Sequence, residues 1–117
     1  MDFLNKFQKM VNVEYSDFET DMLSQSKDYI FESAFEISFY TDVTDFFNYH
    51  EYILDKAFYI VLYKYDADCI LRRLFDWYVK SENTAVNNWD AIYDLVHSYV
   101  VRYYYEELKH TQENMYS

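Results

Sequence analysis

The sequence predicts an all-α fold: a compact bundle of five or six helices around an aromatic-rich core. Three observations predict it. Gly and Pro are both absent from the 117 residues, where ordinary usage of about 7% and 5% would place roughly fourteen of them. Type I′ and II′ hairpin turns depend on residues that accept positive φ, so a many-turned sandwich or barrel lacks its punctuation, and helices joined by polar turns remain. Hydrophobic residues make up 51% of the chain, enough to bury a core in spite of the charge. Apolar side chains also recur at three- and four-residue spacing along most of the length. That length suits one domain, taken as a single helical unit over residues 1–117.

Asp2 is placed to cap a first helix in which Phe3, Leu4, Phe7, Met10 and Val11 form the stripe. The pattern either runs on through Tyr15, Phe18 and Met22 or breaks near Asn12, with Ser16 capping a second segment. Ser24 and Ser26 offer caps for the next helix, in which Ile30, Phe31, Ala34, Phe35 and Ile37 form one apolar face. Thr41 to His50 reads as a turn and a short helix anchored by Phe46 and Phe47. From Glu51 on, Ile53, Leu54, Ala57, Phe58, Val61, Leu62 and Tyr65 make a broad helical stripe. Residues 57–65 are also rich in β-branched and aromatic side chains, so a buried strand is the rival there. Asp66 or Asp68 then caps a helix with Ile70, Leu71, Leu74, Phe75 and Tyr78 inward and Arg72, Arg73 and Asp76 outward. The polar run KSENTAVNN, from Lys80 to Asn88, is the clearest loop. Beyond it a long last helix carries Trp89, Ile92, Val96, Tyr99, Val100 and Tyr103 on its stripe.

Charge divides the chain unevenly. Residues 14–55 hold eleven acids against one base, Lys27, whereas the other 75 residues hold ten acids and nine bases. Like charges so close weaken the compact state. Glu14, Asp17 and Asp21 fall at i, i+3 and i+7, and Asp28, Glu32 and Glu36 at i, i+4 and i+8, so continuous helices would put each set on one face. Same-sign pairs at this spacing cost a few tenths of a kcal/mol each. Asp42 and Asp45 extend the series. Ten net charges over a face of about 30 Å would approach, within a factor of two, the one per about 1.7 Å on duplex DNA. Such a face repels nucleic acid and anionic membranes and suits a basic protein surface. The plain alternative is a solvated acidic exterior.

The chemistry of catalysis finds little support. Phosphate-cradling loops and nucleophile elbows need Gly. Cys69 stands alone, so no disulfide forms within the chain, and the neighbouring Asp66 and Asp68 disfavour a thiolate. The acid-x-x-His pairs Asp94/His97 and Glu107/His110 lie thirteen residues apart on one helix and cannot share a metal site. No cofactor, metal or enzymatic activity is expected. The N-terminal MDFLNKFQKM lacks the apolar core and cleavage site of a signal peptide, and the longest apolar run, Ala57 to Tyr63, cannot span a bilayer, so a cytoplasmic location is expected.

Small size, acids concentrated on helical faces at Glu14, Asp17, Asp21, Asp28, Glu32, Glu36, Asp42 and Asp45, and no catalytic signature together make a type. In this the chain resembles the acidic DNA-mimic inhibitors of phages and mobile elements, of anti-CRISPR or anti-restriction type. The resemblance is physical, spans the whole chain and rests on no aligned motif. It implies that carboxylates stand in for phosphates in the Arg- and Lys-lined groove of a nuclease, such as the site where a Cas effector reads its protospacer-adjacent motif, or a restriction enzyme its DNA. Two other readings stay open. One is an antitoxin masking a basic toxin. The other is a helical adaptor whose aromatic surplus, with Tyr103, Tyr104 and Tyr105 consecutive on one helix, builds a homodimer or hetero-oligomer.

Overall fold

The computed structural model describes residues 3–49, 54–81 and 89–116, and the side chains of Glu32 and Tyr116 are not among what it describes. The proposed Asp2 cap, His50 to Ile53 and the Glu82 to Asn88 part of the polar loop lie outside the described residues. Within them the chain forms α1 (Phe3–Leu23), α2 (Lys27–Glu32), α3 (Ala34–Tyr49), α4 (Lys56–Tyr65), α5 (Ile70–Lys80) and α6 (Trp89–Tyr116), with no strand. The all-α bundle is therefore what the periodicity and the missing Gly and Pro said it would be. Residues 56–65 are helix. None of the helices is long and apolar enough to cross a membrane among the described residues.

One continuous core joins α1, α3, α4, α5 and α6, and aromatic rings dominate its centre. Phe7 sits edge-on to both Phe47 and Tyr59 at 5.1 Å, Phe18 stacks on Tyr40 at 4.0 Å, and Phe39 meets Phe75 edge-on at 5.2 Å. Such pairs add about 0.5–1.5 kcal/mol each beyond the area they bury. The long α6 packs chiefly on α4, while α1 lies against α3 and α5. Ile92, Leu95, Val96, Tyr99, Val100 and Leu108 are the buried side of α6, whereas Trp89 and Tyr103, expected on that stripe, are exposed.

Helix ends pose a particular problem in a chain without Gly, because the last carbonyls and first amides of each helix need partners. Among the side chains of α1, Gln8 supplies two, and others tie α1 to α3 directly. Gln8 Nε2 donates to the carbonyls of Phe47 (3.0 Å) and Asn48 (3.2 Å) in the last turn of α3. Asn12 and Asn48 exchange amide hydrogen bonds at 3.1 and 2.8 Å. Tyr15 and Thr41 share a hydroxyl–hydroxyl bond of 2.9 Å. Elsewhere, Ser26 Oγ accepts from the Tyr29 amide to cap α2, as expected, and Asp55 caps α4 through the Ala57 amide.

One open alternative about element bounds is settled and two expectations are corrected. The first helix runs on through Tyr15, Phe18 and Met22 and does not break near Asn12: α1 is continuous to Leu23, with Phe7, Val11, Phe18 and Met22 on its inward side. Thr41 to Tyr49 is no separate helix but the second half of α3, which buries Phe39, Tyr40, Val43, Phe46 and Phe47 in an unbroken stripe. Between α2 and α3, conversely, a break occurs where the pattern ran through. Ser33, at φ −94° and ψ 8°, ends α2, its amide bonded to the carbonyls of Tyr29 and Ile30.

Candidate functional site

The Ser33 break decides the fate of the acidic series. Asp28 belongs to α2 and Glu36 to α3, so the face predicted at i, i+4 and i+8 is not carried by one continuous helix, which corrects that reading. The side chain of Glu32 lies outside the described residues. Glu36, half-buried, is held by Arg72 Nη1 at 3.0 Å, and the same guanidinium reaches Asp76 at 3.5 Å. That ion pair removes one charge from any outward display.

Glu14 is withdrawn further. Its Oε1 accepts from the Leu71 amide at 2.9 Å and its Oε2 from the Arg72 amide at 3.0 Å. These are first-turn amides of α5, whose N-cap residue, Cys69, makes no side-chain cap bond. Neither Asp66 nor Asp68 caps this helix, contrary to expectation; a carboxylate 57 residues earlier in the chain does. A negative group at a helix N-terminus is favourable both to the unpaired amides and to the macrodipole. Burial nonetheless pushes the Glu14 carboxyl above its usual range, outweighing the two amides, with Asp68 and Asp66 adding to the rise.

Asp17, Glu19, Asp21 and Asp28 are exposed, with no ion pair among the described residues. On α1 the three acids do not share a side: at 100° per residue, Asp17 and Asp21 are roughly 40° apart, and Glu19 lies roughly 160–200° from both. Asp42 and Asp45 are half-buried on α3. Burial raises the Asp42 carboxyl, the charge of Asp45 adds to this, and a hydrogen bond from Ser38 opposes it. Of the predicted positions, then, Asp17, Asp21 and Asp28 stand outward on the same end of the molecule, Glu14 and Glu36 are engaged inside it, and Asp42 and Asp45 lie farther along α3.

That outward end is also apolar. None of the described side chains of α2 is buried. Phe31 is 83% exposed, Leu23 73% and Phe35 57%, although Phe31 and Phe35 had been expected on an inward face. Phe35 covers itself only partly by stacking on Tyr78 at 5.5 Å. Between α1, α2 and α3 runs a groove of about 230 Å³ lined by Tyr15, Phe18, Glu19, Met22, Leu23, Ile30 and Ile37.

A second constellation had no sequence signal beyond the run of three tyrosines. Asp66, wholly buried, accepts a 2.6 Å hydrogen bond from the Tyr99 hydroxyl on one oxygen and another of 2.6 Å from Tyr104 on the other. Arg73 Nε stands 3.9 Å away. Tyr104 takes non-helical angles, φ −134° and ψ 30°, inside α6 and stacks on Tyr65 at 5.3 Å. Burial first, and the bond to Asp66 second, hold the Tyr104 phenol up at about 12 and the Tyr99 phenol higher still. Both remain protonated donors at any physiological pH. A kinked helix, two phenols and a buried acid make a structural tie between α4 and α6, with Tyr103 and Tyr105 left exposed on either side.

Among the described residues no three His, Cys, Asp or Glu side chains are grouped closely enough to hold an ion. His97 instead packs edge-on to Phe58 at 5.0 Å, and His110 faces Glu113 at 4.0 Å. Comparison with protein-family models, with curated proteins and with solved structures found no match to this chain.

Proposed function

We propose that this protein is a non-enzymatic inhibitor that docks its acidic end onto the basic, nucleic-acid-binding groove of a nuclease, of the kind found in Cas effectors and restriction enzymes. The observation that carries the reading is the exposed set Asp17, Glu19, Asp21 and Asp28, which has Lys27 as the single base within its span. Carboxylates at opposed azimuths of one helix suit a groove with cationic walls on both sides better than a flat surface. Steering by such charges speeds encounter and is screened by salt, with a Debye length of about 8 Å at 0.15 M.

The test is competition for DNA on candidate nucleases across a salt series. Wild-type protein is expected to displace DNA less well as salt rises, and the Asp17→Asn, Asp21→Asn, Asp28→Asn triple variant to lose affinity by tenfold or more, about 1.4 kcal/mol. Salt-insensitive binding, or an unchanged triple variant, overturns the reading. A helical adaptor acting through α6 is the second reading, favoured by the exposed Tyr103 and Tyr105. It requires that Tyr103→Ser and Tyr105→Ser abolish partner binding while the acidic triple does not.

A further inference from the structure

The groove between α1, α2 and α3 lies in the same acidic end, and it is apolar. Six of the seven side chains that line it are apolar or aromatic, the exception being Glu19. Leu23, which lines it, and Phe31, next in the chain to the groove-lining Ile30, are large hydrophobics that stand mostly in solvent. A soluble surface seldom keeps such side chains together in water, and where polar residues surround them they mark a contact site. The volume, about 230 Å³, is below the 300 Å³ or so at which small-molecule sites begin, and is of a size to take a bulky side chain or two.

Resting on the reading of a basic partner given above, we infer that this groove receives an apolar anchor of that partner: a short segment with Leu, Phe or similar side chains flanked by Lys or Arg. Charge selects this occupant. Within residues 14–55 the only base is Lys27, and Glu19 stands in the groove wall itself. A second copy of this chain would bring the same acidic wall face to face, whereas a flanking cation would meet Glu19 there. The anchor supplies short-range grip once the carboxylates have steered the approach, and such anchors dominate interface energetics.

Three synthetic peptides of equal length test it by fluorescence anisotropy at physiological salt: one alternating Leu and Phe with Lys and Arg, one with Ser in place of the apolar residues, and one with Glu in place of the bases. The first is expected to bind about tenfold or more tighter than the second, and the third not to bind. Leu23→Ser and Phe31→Ser together should bring the first peptide down to the second; both side chains are exposed, and circular dichroism checks that the fold is kept. Equal affinity of the first two peptides, or no effect of the double variant, overturns the groove while leaving the acidic docking surface standing. Equal binding of the third overturns the charge selection. Self-association of the wild type that the double variant abolishes overturns it too, since a second copy then fills the groove. If no basic peptide binds, both readings fall.

Discussion

The middle of α1 and its C-terminal end carry similar residues and put them to opposite uses. Toward its middle, Gln8, Asn12, Glu14 and Tyr15 each complete a hydrogen bond to another helix. From Asp17 onward, and through α2, Asp17, Glu19, Asp21, Leu23, Asp28 and Phe31 stand in solvent, while Phe18 and Met22 still face inward. The difference teaches that charge density along a sequence is not charge displayed. Glu14 and Glu36 count toward the same acidic run as Asp17 and Asp28, yet one caps α5 and the other is paired with Arg72. What remains on the surface is a smaller set of acids, one of which, Glu19, stands in the wall of an apolar groove.

Substitutions break or sharpen this division in a graded way. The largest effect is expected away from both ends, at Asp66→Ala, which strands the Tyr99 and Tyr104 hydroxyls in a buried site and should cost about 3 kcal/mol in denaturant unfolding. Glu14→Ala, on the engaged side, should cost about 1–2 kcal/mol in the same measurement, the usual loss for an N-cap. Glu14 also carries a pH signature. Its folded carboxyl titrates above the ordinary 4.5, so the folded state holds this proton more tightly than the unfolded chain does. Its contribution is therefore fully present below about pH 4.5 and is lost as pH rises through the folded value. The stability of wild type relative to Glu14→Gln should fall over that window and level off above it, as urea titrations at stepped pH will read. A flat difference would mean the carboxyl is not buried against α5.

Smaller still is Gln8→Ala, expected to cost about 1 kcal/mol by freeing the α3 carbonyls. On the displayed side, Phe31→Ser, Leu23→Ser and Asp28→Asn should each change the melting free energy by no more than about 0.5 kcal/mol. Should Asp28→Asn prove as costly as Glu14→Ala, the line drawn between engaged and displayed acids is in the wrong place.

Much of the fold was legible because periodicity survives without homologues. The stripe of α4 from Ala57 to Leu62, though not its last member Tyr65, which is exposed, the inward set of α5 from Ile70 to Tyr78 and the Ser26 cap all follow from spacing and capping chemistry. The Ser33 break was not legible, since the residues that usually announce an interruption are Gly and Pro and this chain has neither. Missing it turned Phe31 inward on paper and joined Asp28 to Glu36. The roles of Glu14 and Asp66 were hidden for a different reason. Their partners lie 57 and 33 to 38 residues away, and no local pattern encodes which helix end a carboxylate will meet.

The ties along α1 have one more consequence. Residues 8, 12 and 15 meet residues 47, 48 and 41 of α3, and Phe18 meets Tyr40, so the two helices run antiparallel and mesh at four levels. A slip by a single turn, about 5.4 Å, would unmake every level at once and pull Glu14 off α5. Hydrophobic stripes alone tolerate such sliding. Here the polar teeth permit a single seating, and α1 works as a key cut for one lock.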